Sequence, residues 1–381
     1  MKSVHKYQVE LPHRRDISPR RATPAFRPFH CRGFSLPPIP RRFGPAFAAF
    51  VCALAASSHV ALATDYGRIS LMEENDSIYT WDDRYYTQGF EFGYLSPDLN
   101  GGSQWHRPFD WLSGDAWWSP FRKNTTQRWR NYEILFGQSI FTAHDISIAN
   151  PDPDDRPYAG WLYAGIGMDQ DTEHRELDHL ELLAGIVGPD AQGRRVQNDW
   201  HQFMGIGTAQ GWDHQLHDEP GFMLSYERKY RFWAPVFLGQ EVDAIPEIGA
   251  TIGNVMTYGE TGITLRFGDN LRADYGQARI RPATSGSQYF NGDVMDSDFG
   301  YYFYLAAQGR AVGRNIFLDG NTFEDSRSVD KKPLVGDVSA GLALFWSENF
   351  RLDGSVTYRT KEFDGQDGNT LLAGFNIAFG L

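Results

Sequence analysis

The last segment of the chain alternates between two kinds of side chain. The positions on one face are apolar, and they are Leu371, Ala373, Phe375, Ile377, Phe379 and Leu381. The positions between them, from Leu372 to Gly380, are mostly small or polar. A period of two residues is that of a β-strand with two unlike faces. A strand with lipid on one side and a packed interior on the other has this pattern, so we predict the final strand of a membrane β-barrel.

Similar alternation recurs after Ala63 in short segments that turn residues separate. These segments predict about twelve strands, an even number, as closed bacterial barrels require. The predicted strands are 68–75, 86–96, 131–142, 159–170, 177–188, 221–233, 238–250, 257–267, 299–310, 335–346, 350–361 and 370–381. We therefore predict an all-β fold, a closed antiparallel transmembrane β-barrel, with a soluble β-sandwich as the alternative.

Residues 1–63 form a predicted signal peptide with an unusually long basic region. Its arginines precede an apolar stretch that begins at Phe43 and ends in Ala61-Leu62-Ala63. A basic region, an apolar region and an Ala-x-Ala end are the parts of a secretory signal. We expect cleavage after Ala63, export, and a single barrel domain over 64–381, with a membrane anchor as the alternative.

Removal of residues 1–63 changes the charge and the cysteine content of the chain. This segment holds 10 Lys and Arg against 2 Asp and Glu, a net charge of +8. Subtracting +8 from the total of −12 leaves −20 for residues 64–381, which argues against nucleic-acid binding. Both cysteines, Cys31 and Cys52, also lie in the removed segment. The exported part therefore has neither a disulfide nor a thiol nucleophile.

The connections between strands differ in length and polarity. If both chain ends lie in the periplasm, the connections 76–85, 143–158 and 189–220 face outward, and they carry most of the dense polar motifs. Two inward connections, 97–130 and 268–298, are long for periplasmic turns. We expect these two to cap the base of the barrel or to pack on the membrane surface.

The run from Glu74 to Gly89 places acids, amides and hydroxyls at the tip of the first predicted hairpin. Asn75 and Asp76 are adjacent, so they can serve one site only if the strand ends or bulges there. Thr87 begins the returning strand and can lie across the hairpin from them. Asp76 and Thr87 offer the hard oxygen ligands that suit Ca²⁺. The alternative is that such residues simply solvate an outer loop.

The third outward connection contains a predicted short helix, with Asp190 as its N-cap. On this helix Gln197 and His201 are four residues apart, so they share one face. A neighbouring apolar stripe is expected to dock on the barrel rim and consists of Val196, Trp200 and Phe203. A histidine held at the mouth of a barrel is a candidate general base, whereas a structural loop histidine is the alternative.

Five motifs taken together resemble the outer-membrane lipid A deacylase family. They are Glu74-Asn75-Asp76, Asp83 to Gly89, Asp155 to Gly160, Gly188 to Gly193, and Gln197-Asn198 with His201. The resemblance covers most of the chain after Ala63. It implies a twelve-stranded outer-membrane barrel and a Ca²⁺-dependent hydrolase, and the studied member of that family removes the 3′-linked acyloxyacyl chain of lipid A.

The resemblance also implies roles for individual residues. His201 would be the general base that activates a water, and Gln197 would support it. Asn75 would belong to the catalytic groups beside the cation. Asp76 and Thr87 would contact the Ca²⁺, which stabilises the oxyanion.

The chain departs from the studied member of that family at one position of the proposed site. Gly207 stands where that protein has an acidic residue, and this change puts calcium binding in question. Asp213 and Glu219 are nearby acids that could take its place.

The implied partners are lipids and the machinery that inserts barrels. Lipid A or lipopolysaccharide would be the substrate, and outer-membrane lipids would surround the wall. The final strand resembles the terminal signature of outer-membrane proteins, which implies contact with the barrel-assembly machinery. Two other functions fit the same residues: a non-catalytic outer-membrane barrel, and an outer-membrane phospholipase.

Overall fold

The computed structural model describes most of the chain after the predicted signal peptide. The described residues are 67–76, 83–99, 104–123, 128–234, 236–280, 286–346 and 349–381. The predicted signal peptide, residues 1–63, lies outside the described residues. So does the middle of the first hairpin tip, residues 77–82.

Twelve long strands form one closed antiparallel barrel. In chain order they are β1 Arg68–Asn75, β2 Tyr85–Leu95, β3 Arg128–Thr142, β4 Ala159–Thr172, β5 Glu176–Val187, β6 Glu219–Tyr230, β7 Glu241–Gly253, β8 Met256–Asp269, β9 Phe299–Asn315, β10 Leu334–Trp346, β11 Phe350–Arg359 and β12 Thr370–Gly380. Each strand pairs with its neighbours along the chain, and β1 pairs with β12, which closes the sheet. The predicted fold class and strand number are confirmed.

Most strand bounds lie within three residues of the predicted ones, with the largest difference in β9. This strand continues to Asn315 instead of ending at residue 310. Arg310 and Arg314 interrupt the apolar alternation there, so a pattern of alternating hydrophobicity stops too early.

Short helices and strands occupy several of the connections. The helices are α1 Arg107–Leu112, α2 Gly193–Met204 and α3 Ile316–Asp319, with 3₁₀ turns at Gln104–His106, Pro189–Ala191, Gly211–His214, Leu271–Ala273 and Gly292–Val294. The two-residue strands are Ser113–Gly114, Phe121–Arg122 and Phe232–Trp233. Among the residues described, no helix has both the length and the apolar character needed to cross a membrane.

The two ends of the barrel can be told apart by the chain termini. Arg68 pairs with Gly380 at one end, which we call the terminal end. Asn75 pairs with Ala373 at the other, which we call the loop end. The connection that carries α2 joins β5 to β6 at the loop end.

Successive side chains of the wall alternate between the lumen and the outside. In β3, for example, Ile134 and Phe136 are exposed, whereas Glu133 and Leu135 are buried. The outward residues form an apolar band that also includes Ile166, Leu182, Phe222, Leu224, Ile248, Ile263, Phe303 and Leu305. A band of this size facing water would be strongly unfavourable, so it is the surface that meets lipid.

A long connection folds into the lumen. We call residues 270–280 and 286–298, which join β8 to β9, the plug. Its Asp274 is buried and forms ion pairs with Arg266 and Arg351, which project inward from β8 and β11. Removing one partner of a buried ion pair costs about 3–5 kcal/mol, so this cluster fixes the plug to the wall.

Further contacts hold the plug near both ends of the barrel. The hydroxyls of Tyr275 and Tyr289 each donate to Asp171 of β4 over 2.8 Å. Arg279 Nε donates to Glu74 Oε1 over 2.7 Å, two residues before Asp76. The connection expected to cap the base or lie on the membrane therefore fills the interior instead.

Candidate active site

The helix α2 lies against the outer side of the wall at the loop end. Gln138 has the same outward parity as Phe136, and its Nε2 donates to the carbonyl of Ala191, just before α2, over 2.6 Å. Gly160 of β4 faces the start of the helix, and a Cβ added there would lie 3.2 Å from the Gly193 nitrogen. The missing side chain thus lets α2 approach the wall closely.

The start of α2 differs from the prediction. Asp190 was expected to cap the helix, but it lies in the preceding 3₁₀ turn, and α2 begins at Gly193 after Gln192 in a left-handed conformation. The backbone nitrogen of Asp190 donates to Asp218 instead. The predicted N-cap was therefore wrong, because the Pro189 turn closes before the helix begins.

Gln197 and His201 share the face of α2 that points to the wall, as their spacing predicts. Their exposed fractions are 2% and 3%. The apolar stripe of Val196, Trp200 and Phe203 points away from the wall and is exposed, so its predicted docking on the rim was wrong. The polar face is sequestered against the barrel, and the apolar face is left for a lipid environment.

Both ring nitrogens of His201 have a partner. Nδ1 lies 2.6 Å from the carbonyl oxygen of Gly207 and donates to it. Nε2 lies 2.5 Å from Oδ2 of Asp83, which lies two residues before the start of β2. Burial lowers the pKa of His201, but the bonds with Asp83 and Gly207 outweigh burial and raise it above 6.5.

Gln197 holds the carboxylate of Asp83 from a second side. Its Nε2 donates to Asp83 Oδ2 over 3.2 Å, and its Oε1 accepts from Trp212 Nε1 over 2.9 Å. The buried indole thereby fixes which way the Gln197 amide faces. Gln197 and His201 thus contact the same carboxylate, that of Asp83.

Asp76 and Thr87 also lie at the loop end of the wall. Asp76 directly follows β1, is buried, and accepts from the backbone nitrogen of Arg84 over 2.7 Å. Asn75 pairs with Gln88, so one further step of the same register puts Asp76 opposite Thr87. Burial raises the pKa of Asp76 well above its usual value, and the nearby Asp83 carboxylate raises it further.

Thr87 marks an irregularity in the wall. The register between β2 and β3 shifts between Tyr86 and Gln88, which leaves Thr87 as the extra residue. Its Oγ1 lies 2.7 Å from Oγ1 of Thr142, the last residue of β3. The buried oxygens of Asp76, Thr87 and Thr142 therefore come from the loop ends of three adjacent strands.

Asn75 is the last residue of β1, so the strand ends where the sequence requires a break between it and Asp76. It has the outward parity of Leu71, and its side chain hydrogen-bonds Glu73. The outward side is the side of the wall on which α2 lies. Asn75 and Asp76 therefore leave β1 in different directions.

The acids suggested as substitutes at Gly207 have other partners. Asp213 pairs with Arg194 over 2.7 Å, and Glu219 accepts from Asn254 and the backbone of Thr322. Asp83 is the acid that contacts His201. The sequence pointed to Asp83 only as a charge in the first hairpin, because no local spacing links it to α2.

A second group of side chains that could hold a metal lies in the lumen. Glu133, Asp169 and His179 project inward from β3, β4 and β5, with one ligand atom from each within 4.8 Å of the others. Ser287 of the plug donates to Asp169 over 2.9 Å. This group is distinct from Asp76 and its neighbours and is enclosed by wall and plug.

The closed wall, its apolar outer band and its filled lumen define an outer-membrane β-barrel protein. The family model for outer membrane protein LpxR matches residues 46–381, and the chain belongs to that family. The family resemblance read from the sequence and the outer-membrane location are thereby confirmed.

A solved structure from the same family shares the fold at low sequence identity. LpxR from Salmonella typhimurium has a TM-score of 0.64 and 19% identity, and the match covers 82% of this chain and all of that one. The beta domain of the Bordetella autotransporter BrkA is less similar, with a TM-score of 0.42, 12% identity, and coverage of 83% and 99%. Among curated proteins, no sequence matches this chain.

Proposed function

We propose that this protein is an esterase that hydrolyses an O-linked acyl chain of lipid A, the 3′-acyloxyacyl chain. The observation that carries the proposal is the position of His201. It lies between the Gly207 carbonyl and the Asp83 carboxylate, on the wall-facing side of a helix whose apolar face points away from the wall. A buried histidine with one fixed nitrogen, on the side of the wall that meets lipid, is suited to ester hydrolysis at a membrane.

The Gly207 carbonyl determines which nitrogen of His201 can act. It can only accept, so it holds the proton on Nδ1 in both protonation states. In the imidazolium state Nε2–H donates to Asp83. In the neutral state the Nε2 lone pair and the carboxylate are two acceptors that face each other. A water that donates one proton to each satisfies both, once the two groups part to admit it.

This water is the nucleophile in the proposed reaction. Its oxygen attacks the ester carbonyl carbon while Nε2 of His201 takes its proton. The tetrahedral intermediate then collapses, the bond from carbon to the sugar oxygen breaks, and Nε2–H protonates that oxygen. The products are a free fatty acid that still carries its own O-linked acyl chain and a sugar hydroxyl, and His201 returns to the neutral state.

The side chains of Asp76 and Thr87 fit a calcium ion. Asp76 supplies a buried carboxylate close to that of Asp83, and Thr87 supplies a hydroxyl, all of them hard oxygen donors. Two neighbouring carboxylates with little access to water favour a cation between or beside them. Asp76 and Thr87 would hold Ca²⁺. When bound, it would supply positive charge to the oxyanion that forms on the carbonyl oxygen.

Asn75 and the exposed side of α2 would position the substrate. Asn75 offers an outward amide beside Asp76 that can hydrogen-bond the ester or the sugar. Trp200 and Phe203 contact each other on the exposed face of α2, with ring centroids 5.7 Å apart. They would pack on acyl chains of the outer leaflet, so the lipid reaches His201 from the side of the barrel.

The first test compares mass spectra of lipid A from cells that do and do not express the protein. The second incubates purified lipopolysaccharide with the protein, once in the presence of Ca²⁺ and once in its absence, and records the same spectra. We expect the mass of lipid A to fall by one acyloxyacyl group, and we expect this loss to require both protein and Ca²⁺. Release of fatty acid from glycerophospholipids with intact lipid A would identify the phospholipase instead. Unchanged lipids of both kinds would identify a non-catalytic barrel.

The pH dependence of the reaction tests the pairing of His201 with Asp83. The base must be neutral, so the rate should rise with pH through the raised pKa of His201, above 6.5. In Asp83→Asn the carboxylate that favours imidazolium is gone, so the rising limb should move to lower pH and the maximal rate should fall. Rates of fatty acid release between pH 5 and 9 measure both effects.

The matched control for that profile is Asp213→Asn. Asp213 is an exposed acid in the same connection that pairs with Arg194. Its profile should equal that of the wild type. A rising limb at the same pH in Asp83→Asn would show that Asp83 does not set the protonation of His201.

A further inference from the structure

The connection between β2 and β3 lies along the outside of the barrel at the terminal end. We call its residues 104–123 the strap. Arg130 of β3 has the outward parity of the lipid-facing Ile134 and Phe136, yet only 2% of it is exposed. Its guanidinium pairs with Asp110 of the strap over 2.8 Å and lies over the ring of Phe109 at 4.9 Å. The strap therefore covers the part of β3 where lipid would otherwise be.

The covered surface continues across the neighbouring strands. Asp178 of β5 and Arg228 of β6 also have outward parity, are buried, and pair over 2.6 Å. Arg228 donates to the backbone carbonyls of Trp117 and Ser119 over 3.1 Å each. At the edge of this surface Arg122 pairs with Glu176 over 2.9 Å. The strap thus shields a polar patch on the outer wall from β3 to β6.

The opposite side of the strap is strongly aromatic. Its four tryptophans, Trp105, Trp111, Trp117 and Trp118, have exposed fractions of 61%, 81%, 76% and 70%. Phe109 and Phe121 by contrast are fully buried between strap and wall. The strap is therefore two-sided, with one polar and aromatic side fixed to the barrel and the other presenting indoles outward.

Elsewhere around the barrel, aromatic residues of the wall itself take the place of the strap tryptophans. At the same end, strands β9 to β12 carry aromatic rings directly on the wall. These are Phe299, Tyr301, Trp346, Phe350 and Phe379, which contact one another in a chain of rings. Barrels carry such a girdle where the wall meets the membrane interface. From β3 to β6 the wall has charged residues at this end, and the strap supplies the aromatic residues.

We propose that the strap completes the aromatic girdle and binds the phospholipid leaflet at the terminal end of the barrel. The tryptophans lie at the boundary between acyl chains and headgroups, where the amphipathic indole is most favourable. The surface is continuous with the apolar band of the wall, since Ile134, Phe136 and Leu182 lie on the same strands. The connection from β6 to β7 extends it, because Phe232, Phe237 and Leu238 are exposed there.

Spin labels on the full chain in phospholipid vesicles test this assignment. In a background with Cys31→Ser and Cys52→Ser, single cysteines replace Trp111 and Trp118, and the labels report collisions with oxygen, which enters lipid, and with a water-soluble nickel chelate. Phe136→Cys on the apolar band is the lipid reference. Asp154→Cys in an exposed loop is the water reference.

We expect labels at 111 and 118 to collide with oxygen several-fold more often than with nickel, as at 136. Nickel access equal to that at 154 would show that the strap faces water and would overturn the proposal. Dipolar broadening between labels of different molecules would also overturn it, because a second copy would then occupy this surface. Variants that do not insert are recognised by the loss of heat-modifiable migration on a gel. If Trp111→Cys fails to insert, Trp111→Phe combined with a label at Trp105→Cys gives a substitute position.

Discussion

The His201→Ala variant is expected to release no measurable fatty acid from lipid A while it still assembles in the outer membrane. A positioned general base contributes about 10²- to 10⁴-fold to a rate. In this chain the loss should be near the upper end, because Nδ1 is fixed by Gly207 and no other buried imidazole contacts Asp83 among the described residues. Mass spectra of lipid A and initial rates on purified lipopolysaccharide measure the effect.

His217→Ala is the matched control for this prediction. His217 lies in the same connection, is exposed, and pairs with Glu324 over 2.9 Å. It should deacylate lipid A at the wild-type rate, and both variants should show the wild-type shift between folded and heated forms on a gel. Equal deacylation by His201→Ala and His217→Ala would eliminate His201 as the base.

The second large effect is expected from Asp76→Asn. This change keeps the shape of the side chain but removes the negative charge that would hold Ca²⁺. A cation that polarises a carbonyl is worth several kcal/mol, so the rate should fall at least about 100-fold and lose its dependence on Ca²⁺. Calorimetric titration with Ca²⁺ should give heat with the wild type and little with the variant.

The fold of Asp76→Asn should be retained, which separates this effect from unfolding. Burial raises the pKa of Asp76, so its charged form costs stability at neutral pH, and that cost grows as the pH rises. Without Ca²⁺ the asparagine variant should therefore unfold no more easily than the wild type. Asp154→Asn, in an exposed loop, is the control for calcium binding. Wild-type calcium titration by Asp76→Asn would place the ion elsewhere, with the lumenal group around His179 as the next site to test.

The strands of the wall could be predicted from the sequence because each strand has its own alternating pattern of side chains. Outward and lumenal positions alternate within a strand, as in β12, so the signal is local and needs no knowledge of neighbours. The shared face of Gln197 and His201 was predictable for the same reason, since helical spacing is also local. The roles of His201, Gln197, Asn75, Asp76 and Thr87 stay predictions.

The features that were missed depend on what surrounds a segment. The apolar stripe of α2 was expected to dock on the rim, because apolar side chains of soluble proteins are usually buried in the core. On the outside of a membrane barrel the apolar partner is lipid, so Val196, Trp200 and Phe203 are exposed. Asp83 meets His201 only through the folded wall. The sequences of the plug and the strap resemble those of ordinary connections. The plug enters the lumen and the strap lies on the outer face because of contacts with strands that are distant in the sequence.

The plug has a consequence for the cell that carries the protein. Ion pairs between Asp274, Arg266 and Arg351, and the bond from Arg279 to Glu74, occupy the interior of the cylinder. We therefore expect each additional copy in the envelope to add surface to the membrane without adding a route for dyes, detergents or antibiotics. A bacterium that raises the abundance of such a protein is therefore expected to keep its permeability barrier intact.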